Sequence, residues 1–228
     1  MIEMKNVVKK YSNGVIAVNG LDVKINQGEF VYVVGPSGAG KSTFIKMMYR
    51  EEKPTQGTIT INGINLAKLK LKKVPLLRRS MGVVFQDFKL LPTLTVYENV
   101  AFALEVIEEN PKYIKKRVME TLSLVGLKHK ARMLPTELSG GEQQRVSIAR
   151  SIVNSPKLVI ADEPTGNLDP ETSWEIMNLL EEINTRGTTI IMATHNKEIV
   201  NTIKHRVIAI ESGRIVRDEQ RGDYGYEG

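Results

Sequence analysis

The 228-residue sequence contains no cysteine. That excludes disulfides, thiolate-bound zinc and a cysteine nucleophile, and it suits a reducing cytosol. Aromatic residues are scarce, at 6%, with a single tryptophan. Only Tyr113 stands among the basic clusters, short of the stacking platform that a single-strand nucleic-acid binder requires, so no direct nucleic-acid partner is expected. No uncharged run approaches the roughly 20 residues that span a bilayer. The first residues, Met1-Ile2-Glu3-Met4-Lys5, carry an early acid and no apolar stretch, unlike a secretory signal. A cytoplasmic location is the expectation. What remains is ordinary for a globular protein: 41% hydrophobic and 25% charged residues, in a length that suits one large domain or two small ones and can bury a sizeable core. The net charge of +6 permits contact with anionic lipid or nucleic acid and establishes neither. The cations cluster at Lys68, Lys70, Lys72, Lys73, Arg78 and Arg79, and again at Lys112 to Arg117, which reads first as solvated helix faces.

Residues 35–43, Gly-Pro-Ser-Gly-Ala-Gly-Lys-Ser-Thr, fit G-x-x-x-x-G-K-[ST]. The apolar run Phe30–Val34 leads in, and a helix starting near Lys41 leads out. A strand, a glycine loop and a helix N-terminus together form a phosphate cradle. Gly35, Pro36, Ser37, Gly38, Ala39 and Gly40 make the loop, whose backbone amides turn inward. Lys41 reaches the outer phosphates, Ser42 offers a hydroxyl to Mg²⁺, and Thr43 comes next.

The rest of the chain reads as α/β. Residues 2–7 and 17–23 alternate like antiparallel strands around a Ser12-Asn13-Gly14 turn, and residues 58–61 end at an Asn62-Gly63 hairpin signal. Residues 66–79 read as helical until Pro75 interrupts them, and 81–85 as a strand. A helical block from about Thr95 to Leu127 breaks at Asn110-Pro111. It lies within a helical insert, about 87–154, in an α/β core made of 1–86 and 155–228. Residues 158–161 and 189–193 suit buried parallel strands. Residues 207–216 suit a final hairpin, and the polar tail 221–228 is expected to fray.

Asp162 and Glu163 come directly after an apolar run, at the carboxyl end of a buried strand where α/β proteins bind ligands. Asp162 suits a metal holder and Glu163 a residue that polarises the attacking water. Leu138-Ser139-Gly140-Gly141-Glu142-Gln143-Gln144-Arg145 precedes a helical pattern and makes a second anion-binding end. An ordinary capping box explains Ser139 and Glu142 but leaves Gly140-Gly141 unexplained. A single nucleotide needs one phosphate loop only. A head-to-tail pair of copies, each closing its serine-glycine end on the nucleotide of the other, accommodates both.

The phosphate loop, Leu-Ser-Gly-Gly-Glu-Gln-Gln-Arg and Leu-Val-Ile-Ala-Asp-Glu-Pro-Thr, in that order, resemble the ATP-binding-cassette ATPases over nearly the whole chain. The resemblance implies an ATP- and Mg²⁺-dependent ATPase. Its implied fold is a P-loop NTPase core of mainly parallel sheet, with an antiparallel β subdomain and an inserted α-helical subdomain. It also implies that Gln86 touches the metal and water, that His195 contacts the γ-phosphate and Glu163, that Tyr11 stacks on adenine, and that Asn167-Leu168-Asp169 crosses a dimer interface. His129 and His205 stay structural. Pro164-Thr165-Gly166-Asn167-Leu168-Asp169 resembles the branch that holds the lipoprotein-release, macrolide-export and cell-division ATPases. Residues 85–92 and 94–100 are similar to the cell-division type. That implies a transmembrane partner protein and a peripheral position on the inner face of the cell membrane. Leu90, Leu91, Leu94 and Tyr97 are the residues expected to form a groove for that partner. The alternative reading is the ATPase of a lipoprotein-release or macrolide-export transporter.

Overall fold

The computed structural model describes residues 1–225. Along the chain the strands are β1 (Ile2–Lys10), β2 (Ile16–Ile25), β3 (Phe30–Val34), β4 (Gln56–Ile61), β5 (Ile64–Asn65), β6 (Gly82–Phe85), β7 (Leu158–Asp162), β8 (Thr189–Ala193), β9 (Arg206–Glu211) and β10 (Arg214–Glu219). The helices are α1 (Lys41–Met48), α2 (Val74–Arg79), α3 (Val96–Glu105), α4 (Pro111–Leu124), α5 (Gly140–Ile152), α6 (Pro170–Thr185) and α7 (Lys197–Thr202).

Two sheets result. One is antiparallel, in the order β2-β1-β4-β5. The other runs β10-β9-β3-β8-β7-β6 and is parallel except at its β10 edge. The central strands are apolar along most of their length because both faces are covered, with Asp162 closing β7 and Thr189 opening β8. Strand alternation sorts their side chains. Phe30, Tyr32, Val34, Val159, Ala161, Ile190 and Met192 join one buried cluster with α3 to α6. Val31, Val33, Leu158, Ile160, Ile191 and Ala193 join the other, with α1 and the antiparallel sheet.

Local chemistry sets the helix boundaries. Thr95 caps α3 with a full capping box, accepting from the Glu98 amide while its own amide donates to the Glu98 carboxylate at 2.8 Å. Asn110 caps α4 with Pro111 in its first turn, so the expected break at 110–111 is a helix start.

Two expectations need correction. Pro75 does not interrupt a helix; it sits in the first turn of α2, where a missing N–H costs nothing, and residues 66–70 are not helical. The tail does not fray through its described part. Tyr224 is buried, its amide donates to Asn201 Oδ1 at 2.7 Å, and the Gly222 amide donates to the His205 carbonyl. The remainder of that expectation, residues 226–228, lies outside the described residues.

Candidate nucleotide site

Sheet register gathers the chemistry. Phe85 pairs with Asp162, Asp162 with Ala193, and Ala193 with Val33. The residues just beyond these positions, Gln86, Glu163, His195 and Gly35, therefore emerge along one rim, at the carboxyl ends of β6, β7, β8 and β3.

The loop after β3 needs its glycines for space as well as conformation. Gly40, the N-cap of α1, has φ 108°, and a Cβ there would lie 2.2 Å from the Ala17 carbonyl oxygen. A Cβ on Gly35 would meet the Ile210 carbonyl oxygen at the same distance. No side chain caps α1, so its first amides face the loop without a side-chain acceptor. The Lys41 ammonium donates to the carbonyls of Gly35 at 2.7 Å and Pro36 at 3.0 Å, folded over the cradle it is expected to serve. Ser42 is exposed and Thr43 is buried. The Tyr11 and Thr43 hydroxyls share a hydrogen bond of 3.1 Å, which brings the aromatic ring to the side of α1.

Burial raises the Asp162 carboxyl above its ordinary range, and the neighbouring Glu163 adds to this; Lys46 and Lys41 oppose it. Burial and the adjacent acid outweigh the two lysines at Asp162, and a cation at this rim would offset them. Glu163 holds a left-handed backbone, φ 51°. Its amide donates to the Ala193 carbonyl and its carbonyl accepts from Gly166. Its carboxylate meets His195 twice, at Nδ1 (2.8 Å) and at the backbone amide (3.2 Å). The Glu163 side chain is 17% exposed and the His195 ring 63%, so the ring forms the solvent side of the pair. Gln86 and Asn167 exchange two hydrogen bonds, Nε2 to Oδ1 and Nδ2 to the Gln86 carbonyl, which ties the end of β6 to the turn after Glu163.

Ser139 caps α5. It accepts from the Glu142 amide at 3.3 Å, while its own amide donates to the Glu142 carboxylate at 3.0 Å. Lys130 pairs with that carboxylate at 2.5 Å and holds it below its usual range. Gly141 has a packing reason that the sequence concealed. A Cβ there would sit 2.3 Å from Thr172 Cγ2, so the glycine lets α5 approach α6. Gly140 has no such constraint; its nearest neighbour would be Leu168 Cδ2 at 3.6 Å. Among the described residues, no hydrogen bond or ion pair joins Ser139, Gly140 or Gly141 to the loop 35–43. Ser139 and Gly141 instead line a separate cavity of about 340 Å³ with His129, Arg145 and Glu175. His205 is structural as expected, stacked on Phe30 and bonded to Glu181.

Three supporting residues are not evident from the sequence. Asn99 is wholly buried. It accepts from the Leu91 amide and donates to the Leu91, Leu94 and Thr95 carbonyls. The Arg150 guanidinium donates to the carbonyls of Phe88 and Lys89, both left-handed. Gln144 donates to the Pro164 carbonyl at 2.6 Å, joining α5 to the turn after Glu163. A polar residue inside a helical apolar pattern is the only signal for Asn99. The residues expected to form a groove, Leu90, Leu91, Leu94 and Tyr97, are half-buried, and Leu90 and Tyr97 pack on the buried cluster that α3 to α6 share with the large sheet. An apolar cavity of about 390 Å³ opens nearby instead, lined by Pro75, Met81, Phe102, Val106, Ile107 and Arg150 among others.

The family model described as "ABC transporter" matches residues 18–166. The chain is 75% identical over 225 residues to the cell division ATP-binding protein FtsE of Bacillus subtilis, covering 99% of both chains. It is 54% identical to the FtsE of Mycobacterium tuberculosis, covering 100% of this chain and 99% of that one. The dimeric post-hydrolysis structure of the ATP-binding cassette MJ0796, bound to ADP and Pi, superposes with a TM-score of 0.87 at 36% identity, covering 97% of this chain and 99% of that one. A strand–loop–helix phosphate cradle, the rim of acids beside it and these likenesses agree: the chain belongs to the ABC transporter family, as a nucleotide-binding ATPase cassette.

Proposed function

We propose that two copies of this chain close head to tail on two ATP molecules, and that neither copy hydrolyses ATP alone. The observation that carries this reading is the separation of two anion-ready helix starts, at Gly40 and Ser139, within one copy. The dimeric cassette bound to ADP and Pi supports it. In this reading the amides of residues 35–43 and Lys41 hold the phosphates, and Tyr11 contacts the base. Ser139, Gly140 and Gly141 of the second copy approach the γ-phosphate. Glu163 orients the attacking water and accepts its proton, while His195 fixes the carboxylate through the two contacts described. Gln86 completes the frame. Ser42, Gln86 and Asp162 are the residues that would hold Mg²⁺, and the raised Asp162 carboxyl fits them to a cation. The ion would neutralise phosphate charge as it develops.

The likeness to FtsE proteins supports a place in bacterial cell division, as the ATPase of a complex with an FtsX-like transmembrane protein. The chain would then sit on the inner face of the cell membrane through that partner. We assign the partner's docking to the cavity between α2, β6 and α3. Residues 87–154, the helical subdomain of this reading, would carry its outer wall. The runner-up is a lipoprotein-release or macrolide-export transporter, favoured only by the Pro164–Asp169 wording. Identification of the membrane protein that co-purifies with the chain separates the two.

Glu163→Gln tests the chemistry. ATP binding should persist, turnover should fall by about a hundredfold or more, and an ATP-bound dimer should accumulate in size-exclusion chromatography. Wild-type turnover by the variant overturns the role given to Glu163.

A further inference from the structure

The two most exposed large apolar side chains among the described residues are Leu71, at 80%, and Leu76, at 58%. Both lie in the short segment that includes α2. That segment belongs to the longest acid-free part of the chain: from Lys53 to Gln86 there is no aspartate or glutamate. Lys68, Lys70, Lys72 and Lys73 flank Leu71, and none makes an ion pair among the described residues. The buried side of the segment is held in place. Val74 and Leu77 are buried, Arg78 donates to the Tyr49 and Arg50 carbonyls, and the Arg79 carbonyl accepts from Asn154. A solvated face does not need exposed leucines, and a core edge does not need four unpaired lysines. Together they describe a surface that inserts short apolar side chains among anionic headgroups while ammonium groups meet the phosphates.

We propose that the segment 68–76 binds the surface of an anionic lipid bilayer directly, without a protein partner. Charge complementarity and the paired leucines favour lipid over nucleic acid, since no aromatic side chain stands in the segment to stack on a base. Its position agrees. α2 supplies Pro75, Arg78 and Arg79 to the apolar cavity assigned above to the membrane partner, so one edge of the molecule carries both surfaces. Only that positional argument rests on the partner reading.

The test is flotation of the purified full chain with vesicles of phosphatidylglycerol and phosphatidylcholine, against phosphatidylcholine alone, with no partner protein present. The wild type should float with the anionic vesicles only and be released by high salt. The quadruple variant Lys68→Gln, Lys70→Gln, Lys72→Gln, Lys73→Gln should lose about fivefold in partition per lysine, roughly several hundredfold in all. The double variant Leu71→Ser, Leu76→Ser should float more weakly at unchanged charge. ATP binding by both variants should match wild type, which shows that they are folded. Absence of flotation, or equal flotation of the quadruple variant, overturns the proposal. So does undiminished flotation of the leucine variant together with equal competition by duplex DNA, which would mark a general polyanion surface. Because no partner is present, failure here leaves co-purification of a membrane protein as a separate result.

Discussion

The chain carries two helix starts built for anions, and they are finished differently. α1 begins at a glycine with no side-chain cap, its amides unanswered and a lysine folded over them. α5 begins at Ser139 with a complete capping box, and Lys130 fixes the glutamate of that box. In the proposed cycle the first is the open site, whose amides no side chain caps and which would take the phosphates. The second is a closed site, stable without ligand, and in the proposed dimer it must give up part of its own bonding to meet a phosphate. The contrast suits a cycle in which nucleotide enters one copy readily and the second copy joins only when a γ-phosphate compensates the exchange.

Substitutions can break this contrast. The largest effect is expected from Ser139→Arg, which places a bulky cation at the closed site. Steady-state hydrolysis should fall by roughly two orders of magnitude or more, about 3 kcal/mol in the barrier, while equilibrium ATP binding to the monomer stays within about twofold. Gly40→Ala should do the reverse and destroy nucleotide binding, because its Cβ would lie 2.2 Å from the Ala17 backbone carbonyl oxygen at a left-handed φ of 108°. Fluorescent-nucleotide titration would show it. Gly141→Ala should destabilise by about 1–3 kcal/mol through overpacking, and Thr172→Ser, which deletes the clashing methyl and keeps the hydroxyl bonded to Asp169, should restore most of the loss in denaturant unfolding. Gly40→Ala has no such rescue.

The smallest effect belongs to Glu142→Gln, about 0.5–1 kcal/mol for a partly exposed pair and cap. Lys130 first, and the Ser139 amide after it, depress the Glu142 carboxyl in the folded protein. The wild type therefore holds this contribution above the ordinary carboxylate range and loses it as pH falls through the lowered value. The stability gap between wild type and variant should close on acidification in a pH series of unfolding curves.

Much of this is legible in the sequence because the relevant physics is local. The cradle, its leading strand, the helix start near Thr95 and the cap at Ser139 depend on neighbours within a few residues, whereas Asn110-Pro111 reads as a break and is a cap. Asp162 and Glu163 stand out after their apolar run, whereas Gln86 and His195 are legible only through the family resemblance, and the sheet register of the structure is what brings the four to one rim. Long-range packing is not legible. Nothing near Gly141 announces Thr172, and nothing near Asn99 announces the loop it satisfies. The stripe of α6, Ile176, Met177, Leu180 and Ile183, is legible at helical spacing yet escapes the sequence reading, and α7, at six residues, is too short to show a period. Pro75 misleads because proline opens helices as readily as it ends them. The polar tail misleads because composition alone does not reveal that Tyr224 finds a buried seat.

The stretch beyond Gln86 has a further consequence. Arg150 grips the Phe88 and Lys89 carbonyls, and Asn99 grips Leu91 and Leu94. Both grips come from α3 and α5, whereas Gln86 itself is tied to Asn167 beside the acids. The connection therefore has almost no slack. A ligand that drew on the glutamine amide would act on a stretch held by both helices at once, much as a short crank acts on its shaft.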